Sequence, residues 1–344
     1  MNKKINIQAN SNFHTATRTS VFDVKSGNER FEEYRKRWHD YPANFTVGEF
    51  PIHLDIEATS LCNLRCPFCA STFNEWGPEE KGFMDFGLFK KIINEGVSRN
   101  LFSIKLSLRG EPLLHKQLVE MVDYAKKAGI VDVYFNTNAT LLNEDIVNRL
   151  IASKLDRISI SFEGTKKDVY ERYRVGARYE DVVKKIKMLR KLRDKQKSLI
   201  PAIRIQTVLL PELKESFGDY VKFWQPVVDE VSYLDARDES KKDYHCAHDG
   251  SSMDLKGDWA CPFLWQRMMI LWDGTVFPCL IHGVKDAQAM TLGNAKDVSL
   301  YEMWHSKAFD NYRDIHKAGR SHEVDACTKC SYRIMELEKL NKIR

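Results

Sequence analysis

Eight cysteines are the residues of this 344-residue chain best placed to do chemistry. Cys62, Cys66 and Cys69 stand in Cys-Asn-Leu-Arg-Cys-Pro-Phe-Cys, a CxxxCxxC spacing. Three thiolates on so short a loop bind three corners of a cubane iron–sulfur cluster and leave the fourth iron without a protein ligand. A cubane with an open iron is a site for chemistry, whereas a four-cysteine cubane carries electrons. Zinc is the competing ligand. Structural zinc takes four donors, and this loop offers no fourth. A second set is spread more widely. Cys261 is followed by twelve residues, Gly274, four residues and Cys279, and Cys327 and Cys330 form a CxxC. Four thiolates close the coordination of either a second cluster or a structural zinc. Cys246 stands apart in Tyr-His-Cys-Ala-His. It reads as a hydrogen-atom donor to a carbon radical, as a buried bystander thiol, or as a metal ligand beside His245 and His248.

Positioning these groups requires a frame, and the pattern supplies one. Strand-like apolar runs occur at 53–58, 102–108, 131–136, 157–162, 202–210 and 230–235. Amphipathic stretches at 85–97, 116–128, 144–152, 179–195 and 215–224 lie between them. In the second stretch Leu118, Met121, Val122 and Ala125 fall on one helical face. Asn143 is a candidate N-cap and Gly129 a candidate C-terminal glycine. Alternating strands and helices predict a parallel α/β sheet, curled by right-handed crossovers into a full or partial (β/α)6 barrel. Active sites of such folds lie at the C-terminal strand ends. The first cysteine group begins four residues after the first strand run, so it occupies that mouth.

Residues 1–50 form an N-terminal extension with a helical signal in NERFEEYRKRWHDY, 51–236 the barrel, and 237–260 a charged connector. Residues 261–335 form a small α+β unit, and 336–344 a tail. In that unit Asp273-Gly274 is a hairpin signal, and 299–316 reads as one helix. With 53 basic and 48 acidic residues the net charge is +5, too balanced to indicate nucleic acid. No apolar window is long enough to cross a membrane, and residues 1–13 have no apolar signal core. The expectation is a soluble cytoplasmic protein, in which clustered thiols mean metal rather than disulfides.

With these residues in place, the first loop resembles that of the radical S-adenosylmethionine (SAM) superfamily, including the aromatic Phe68 before the last cysteine. The resemblance implies that the open iron chelates SAM. One electron then cleaves SAM to methionine and a 5'-deoxyadenosyl radical, which abstracts hydrogen from substrate. It also implies that Gly110 and Glu111, in Arg-Gly-Glu-Pro after the second strand, receive the SAM ammonium, with Arg109 standing where the family carries a further glycine. Asn138, in Thr-Asn-Ala-Thr, matches the segment ending the third strand. Ser161 and Arg174 would hold the SAM carboxylate, and 208–210 would pack adenine. The second cysteine set resembles the SPASM/twitch group. Four cysteines at Cys261, Cys279, Cys327 and Cys330 imply the shorter twitch form with one auxiliary 4Fe-4S cluster, and a flavodoxin- or ferredoxin-type electron donor.

The resemblance leaves the substrate open between a carbohydrate or related small molecule, epimerised or dehydrogenated, and a ribosomally made peptide. The extension lacks the length and pattern of a leader-binding domain, which favours the small molecule. Arg109, Asn136, Gln206, Asp235 and Arg237 are its candidate polar contacts. A non-catalytic zinc-binding interaction protein is the alternative from another class.

Overall fold

A computed structural model describes residues 5, 7, 13–17, 20–73, 77–235, 257–279, 290–328 and 330–343. Its strands, in chain order, are β1 (Phe13–Thr15), β2 (His53–Ile56), β3 (Ser103–Lys105), β4 (Asp132–Thr137), β5 (Arg157–Ser161), β6 (Ala202–Leu209), β7 (Glu230–Asp235), β8 (Arg267–Ile270), β9 (Thr275–Phe277) and β10 (Gly293–Asn294). They form one sheet in the order β1-β7-β6-β5-β4-β3-β2-β8-β9-β10. β2 to β7 run parallel, neighbour to neighbour. These are the six expected strands, and the described sheet keeps two edges, as a partial barrel does.

Each βα unit follows from local chemistry. Asp85 and Asn143 cap the helices Phe86–Ser98 and Glu144–Ala152, accepting from Leu88 N–H at 2.8 Å and Ile146 N–H at 2.9 Å. Gly129, at φ +100°, ends the turn after Leu118–Lys127, a conformation that costs an L-residue energy. Alternate strand residues Leu54, Ile104, Val133, Phe135, Ile158, Ile203 and Val231 are fully buried among helix residues such as Phe89, Met121, Leu150 and Leu189. The opposite face of the strands is polar.

Several elements differ from the sequence expectation. The helix expected over 299–316 is two helices, Leu300–Trp304 and Lys307–Lys317. Ser306 interrupts it, because its hydroxyl accepts the Phe309 N–H at 3.2 Å and starts a new N-terminus. The stretch at 215–224 is the helix Phe217–Trp224, and Pro211–Lys214 and Lys167–Tyr173 are further helices. β3 is shorter than its apolar run, since the chain leaves the ladder after Lys105 to carry residues 107–111 across the strand ends.

Both flanks of the barrel are larger than the pattern suggests. β1 pairs antiparallel with β7. The helix Glu29–Ala43 buries Phe31, Tyr34 and Trp38 against Ile52 and Phe102. Its aromatic face meets the N-terminal ends of the strands, where the Arg267 guanidinium lies 4.8 Å from the Trp38 ring. On the other side β8 pairs parallel with β2, Leu54 opposite Met268, and the β8–β9 hairpin turns at Asp273-Gly274 with Gly274 at φ +93°. The C-terminal unit therefore continues the barrel's own sheet.

Candidate active site and the auxiliary cysteines

The loop carrying Cys62, Cys66 and Cys69 follows β2 and is braced by three neighbouring strand ends. Gly110 after β3 lies against it so closely that an added Cβ would stand 2.2 Å from the Thr59 carbonyl oxygen and 2.5 Å from that of Leu61. No side chain fits there. Glu111 N–H donates to the Leu61 carbonyl at 2.8 Å. After β4, Asn138 Nδ2 donates to Asn63 Oδ1 at 3.0 Å, and Asn63 Nδ2 donates to Thr140 Oγ1 at 2.8 Å. After β5, Arg174 donates from both Nε and Nη2 to the carboxylate of Glu163, and from Nη1 to Cys66 Sγ at 3.6 Å. Its guanidinium stands 5.3 Å from the Phe68 ring.

Burial pushes the Cys66 thiol up to about 11, against the pull of Arg174, with Glu163, Cys69 and Cys62 adding their charge. Burial likewise raises Cys62, which also feels Glu111 and Cys69. Glu111 is 3% exposed and accepts from Thr137 Oγ1 at 2.7 Å, Asn138 N–H at 2.8 Å and Leu113 N–H at 3.2 Å. Burial outweighs those donors and lifts its carboxyl to about 7.

The named residues thus divide. Gly110, Glu111, Asn138, Arg174 and Phe68 surround the cysteine loop. Ser161 ends β5 on the inner face, half-buried, opposite Gln206. Arg109 is tied elsewhere: its Nε and Nη2 each donate at 2.7 Å to the carboxylate of Glu57. Glu57 also accepts the Trp272 N–H at 3.3 Å, joining barrel to hairpin. Asn136 and Gln206 sit half-buried on the inner face. The backbone of Asp235 ends β7, and Cys246, His245, His248 and Arg237 lie outside the described residues.

Below the mouth, the inner face is lined with ion pairs. Arg157 Nε and Nη2 donate to Asp132 at 2.9 and 2.6 Å, Arg204 Nε to Glu230 at 2.7 Å, and Arg267 Nη1 to Asp55 at 3.1 Å. Lys105, Tyr134, Asn136, Ser161 and Gln206 form a half-buried polar row along the same face.

Cys261, Cys279 and the Cys327–Cys330 pair come from three separate pieces of the chain, and the fold brings them together. Burial, followed by the charges of the other cysteines of this set, drives Cys261 and Cys327 well above the usual thiol range. None of the seven described cysteines is in a disulfide. Sequence reasoning missed His316, a buried residue whose Nδ1 accepts the Cys261 N–H at 3.0 Å and whose Nε2 lies 3.4 Å from Cys327 Sγ. It missed Asn63, Glu57 and Glu163 too. Asn63 lies inside the cysteine motif and was legible there; His316 carries no local signal.

Among the described residues, no three His, Cys, Asp or Glu side chains close on one point as ligands of a single metal ion do. A cubane makes a different demand, because its iron corners hold the thiolates apart. The three-thiol loop under a glycine cradle and the four-thiol set fit an open and a closed cluster respectively.

Fold and site together define an α/β enzyme with cysteine-rich metal chemistry at the mouth of a partial barrel. The chain belongs to the radical SAM superfamily: that family's model matches residues 56–223, and the model of the SPASM iron–sulfur cluster-binding domain matches residues 261–331. Its cofactors are accordingly 4Fe-4S clusters and SAM. The chain is similar, at 27% identity over 320 residues, to the tungsten-containing aldehyde ferredoxin oxidoreductase cofactor-modifying protein of Pyrococcus furiosus, covering 82% of this chain and 87% of that one. Its fold is similar to that of BtrN in complex with AdoMet and 2-DOIA (TM-score 0.54, 20% identity, 83% of this chain and 94% of that chain). It is similar also to SuiB of Streptococcus suis bound to S-adenosylmethionine (TM-score 0.55, 16% identity, 90% and 76%). No helix among the described residues is long and apolar enough to cross a membrane.

Proposed function

We propose that this enzyme abstracts a hydrogen atom from a small polar molecule, a carbohydrate or related compound, held on the inner face of the sheet. The observation that carries the reading is the group Asn136, Ser161 and Gln206, half-buried polar side chains of the inner face that lie toward the C-terminal strand ends from which the cysteine loop is braced. The aromatic face of Glu29–Ala43 covers the opposite strand ends, so the approach is from the mouth. The Pyrococcus furiosus relative is named for modifying a cofactor, which also supports a small-molecule substrate.

Cys62, Cys66 and Cys69 are the residues to hold the cluster that binds SAM. Bound there, the pair supplies a one-electron reductive cleavage and with it hydrogen-atom abstraction. Gly110 and Glu111 offer a close backbone and a carboxylate to the SAM ammonium, and Asn138 holds the loop in place through Asn63. Arg174 neutralises Glu163 and donates to Cys66, and with Ser161 it is assigned to the SAM carboxylate. Cys261, Cys279, Cys327 and Cys330 are assigned one auxiliary cluster.

Two outcomes follow for the substrate radical. In epimerisation, Cys246 returns a hydrogen atom from the opposite face. In dehydrogenation, the substrate would lose a proton to solvent, and a cluster held by Cys261, Cys279, Cys327 and Cys330 would supply the one-electron acceptor. The test is anaerobic, reconstituted protein with SAM and dithionite, offered sugars, cyclitols and short peptides in turn. A small polar molecule should stimulate 5'-deoxyadenosine release, and turnover in D2O should place deuterium in an epimerised product. Stimulation by peptides alone would overturn the reading.

A further inference from the structure

We infer that His316 positions Cys327 and raises the reduction potential of the auxiliary cluster by donating an N–H to that cysteine's sulfur. The inference rests on the reading that Cys261, Cys279, Cys327 and Cys330 share a cluster.

The geometry determines the tautomer. His316 lies on Lys307–Lys317 and is 2% exposed. The backbone N–H of Cys261 donates to its Nδ1 at 3.0 Å. An N–H can only be accepted by a nitrogen that has no proton, so the neutral ring carries its proton on Nε2. That Nε2 lies 3.4 Å from Cys327 Sγ, within hydrogen-bonding reach of sulfur. One imidazole therefore joins the backbone of the first ligand to the sulfur of the third. The ring is held from the side by Trp259, edge-on at 6.1 Å between centroids. Arg333, 1% exposed, adds a cation beside the neutral imidazole: it interacts electrostatically with Cys327 and Cys330, and its Nε donates to Ser321 Oγ at 2.9 Å.

A thiolate on iron becomes more electron-rich when the cluster gains an electron. An N–H aimed at its sulfur stabilises that reduced form more than the oxidised one, so the potential rises. His316 acts through Cys327 and touches no reacting atom, which makes it a positioning residue. Its placement suits a cluster that must accept electrons.

The test uses the full chain carrying Cys62→Ala, Cys66→Ala and Cys69→Ala, so that any remaining cluster is the auxiliary one. Dithionite titration followed by electron paramagnetic resonance reads its midpoint potential. His316→Phe should raise the oxidised-to-reduced ratio at fixed potential about tenfold, or about 59 mV for a one-electron couple. His316→Gln retains a donor at the same reach and should stay within about twofold. Should the phenylalanine variant fail to hold iron, the unmutated histidine still decides: in protein grown with nitrogen-labelled histidine, pulsed resonance on the reduced cluster should detect coupling to a histidine nitrogen. Iron present with an unchanged potential in His316→Phe, or no such coupling, overturns the inference alone. Absence of iron and sulfide from the triple-cysteine background overturns the cluster reading and the inference with it.

Discussion

The two cysteine sets are built on opposite principles. Cys62, Cys66 and Cys69 lie within eight residues, and the fold's contribution is to brace their loop from outside through Gly110, Asn138 and Arg174. Cys261, Cys279, Cys327 and Cys330 span 261–330, and the fold's contribution is to bring them together at all. The first set stands among polar and charged partners at a strand-end mouth, where a ligand must enter. The second is enclosed by Trp259, Tyr332 and Leu337 on one side and by Met290, Val324 and Ala326 on the other. An open mouth suits a cluster that performs chemistry on a bound ligand, and an enclosed set suits one that exchanges electrons. The lesson is that a reactive centre can be local in sequence provided its surroundings are tertiary, whereas a closed centre needs tertiary structure for the ligands themselves.

The sharpest way to break the comparison is to remove one set and ask what the other still does. Replacing Cys62, Cys66 and Cys69 together by Ala should abolish 5'-deoxyadenosine formation while iron falls from about eight to about four per chain. Undiminished SAM cleavage in that variant would end the assignment of chemistry to the loop. The reciprocal change, Cys327→Ala, should also lower iron to about four per chain. It should leave dithionite-driven SAM cleavage without substrate largely intact. Loss of both activities together would mean that the two sets are one structural unit.

A smaller perturbation should act through the brace. Gly110→Ala drives a Cβ into the Thr59 and Leu61 carbonyls, an overpacking cost of about 2 kcal/mol. Thermal unfolding should register that cost, and the variant should weaken SAM binding more than it lowers auxiliary iron. Asn138→Ala removes the bond to Asn63 and the two that Thr140 donates to Asn138 Oδ1, and should cost roughly 2 kcal/mol. Equal effects of both variants on the two clusters would show that bracing is global.

The mildest prediction concerns pH. Burial raises the Glu111 carboxyl to about 7, so it is largely protonated at pH 6 and largely a carboxylate at pH 8. An ammonium group is attracted to the carboxylate and not to the acid. SAM binding, measured by calorimetry under anaerobic conditions, should therefore tighten about threefold to tenfold as pH rises through 7, and Glu111→Gln should flatten that rise. A wild-type profile flat from pH 6 to 8 would remove Glu111 from the ammonium site.

Much of this molecule was legible from local pattern. Six strands alternating with five helices are a period-2 and period-3.6 signal repeated along the chain, and the sheet carries the strands in sequence order. CxxxCxxC marks a three-thiolate loop suited to a cubane with an open iron, because ligands from one loop are set by spacing; that SAM is the ligand of that iron came from the resemblance to the radical SAM superfamily. Helix breaks were harder: Ser306 looks like any polar residue on an amphipathic face until its hydroxyl is seen capping Phe309. Arg109 read as a contact for substrate, yet the fold joins it to Glu57 and the hairpin at Trp272, because an ion pair across strands has no sequence signature.

What the sequence determined by itself is therefore the set of donors and the rhythm of strands and helices. Both are decided by residues close in the chain. Only the tertiary structure decided that β8 joins β2, that Gly110 must lack a side chain, and that His316 faces Cys327. Those facts depend on which distant segments pack together, and packing is settled by burial and hydrogen-bond satisfaction over the whole domain rather than by any local run of residues.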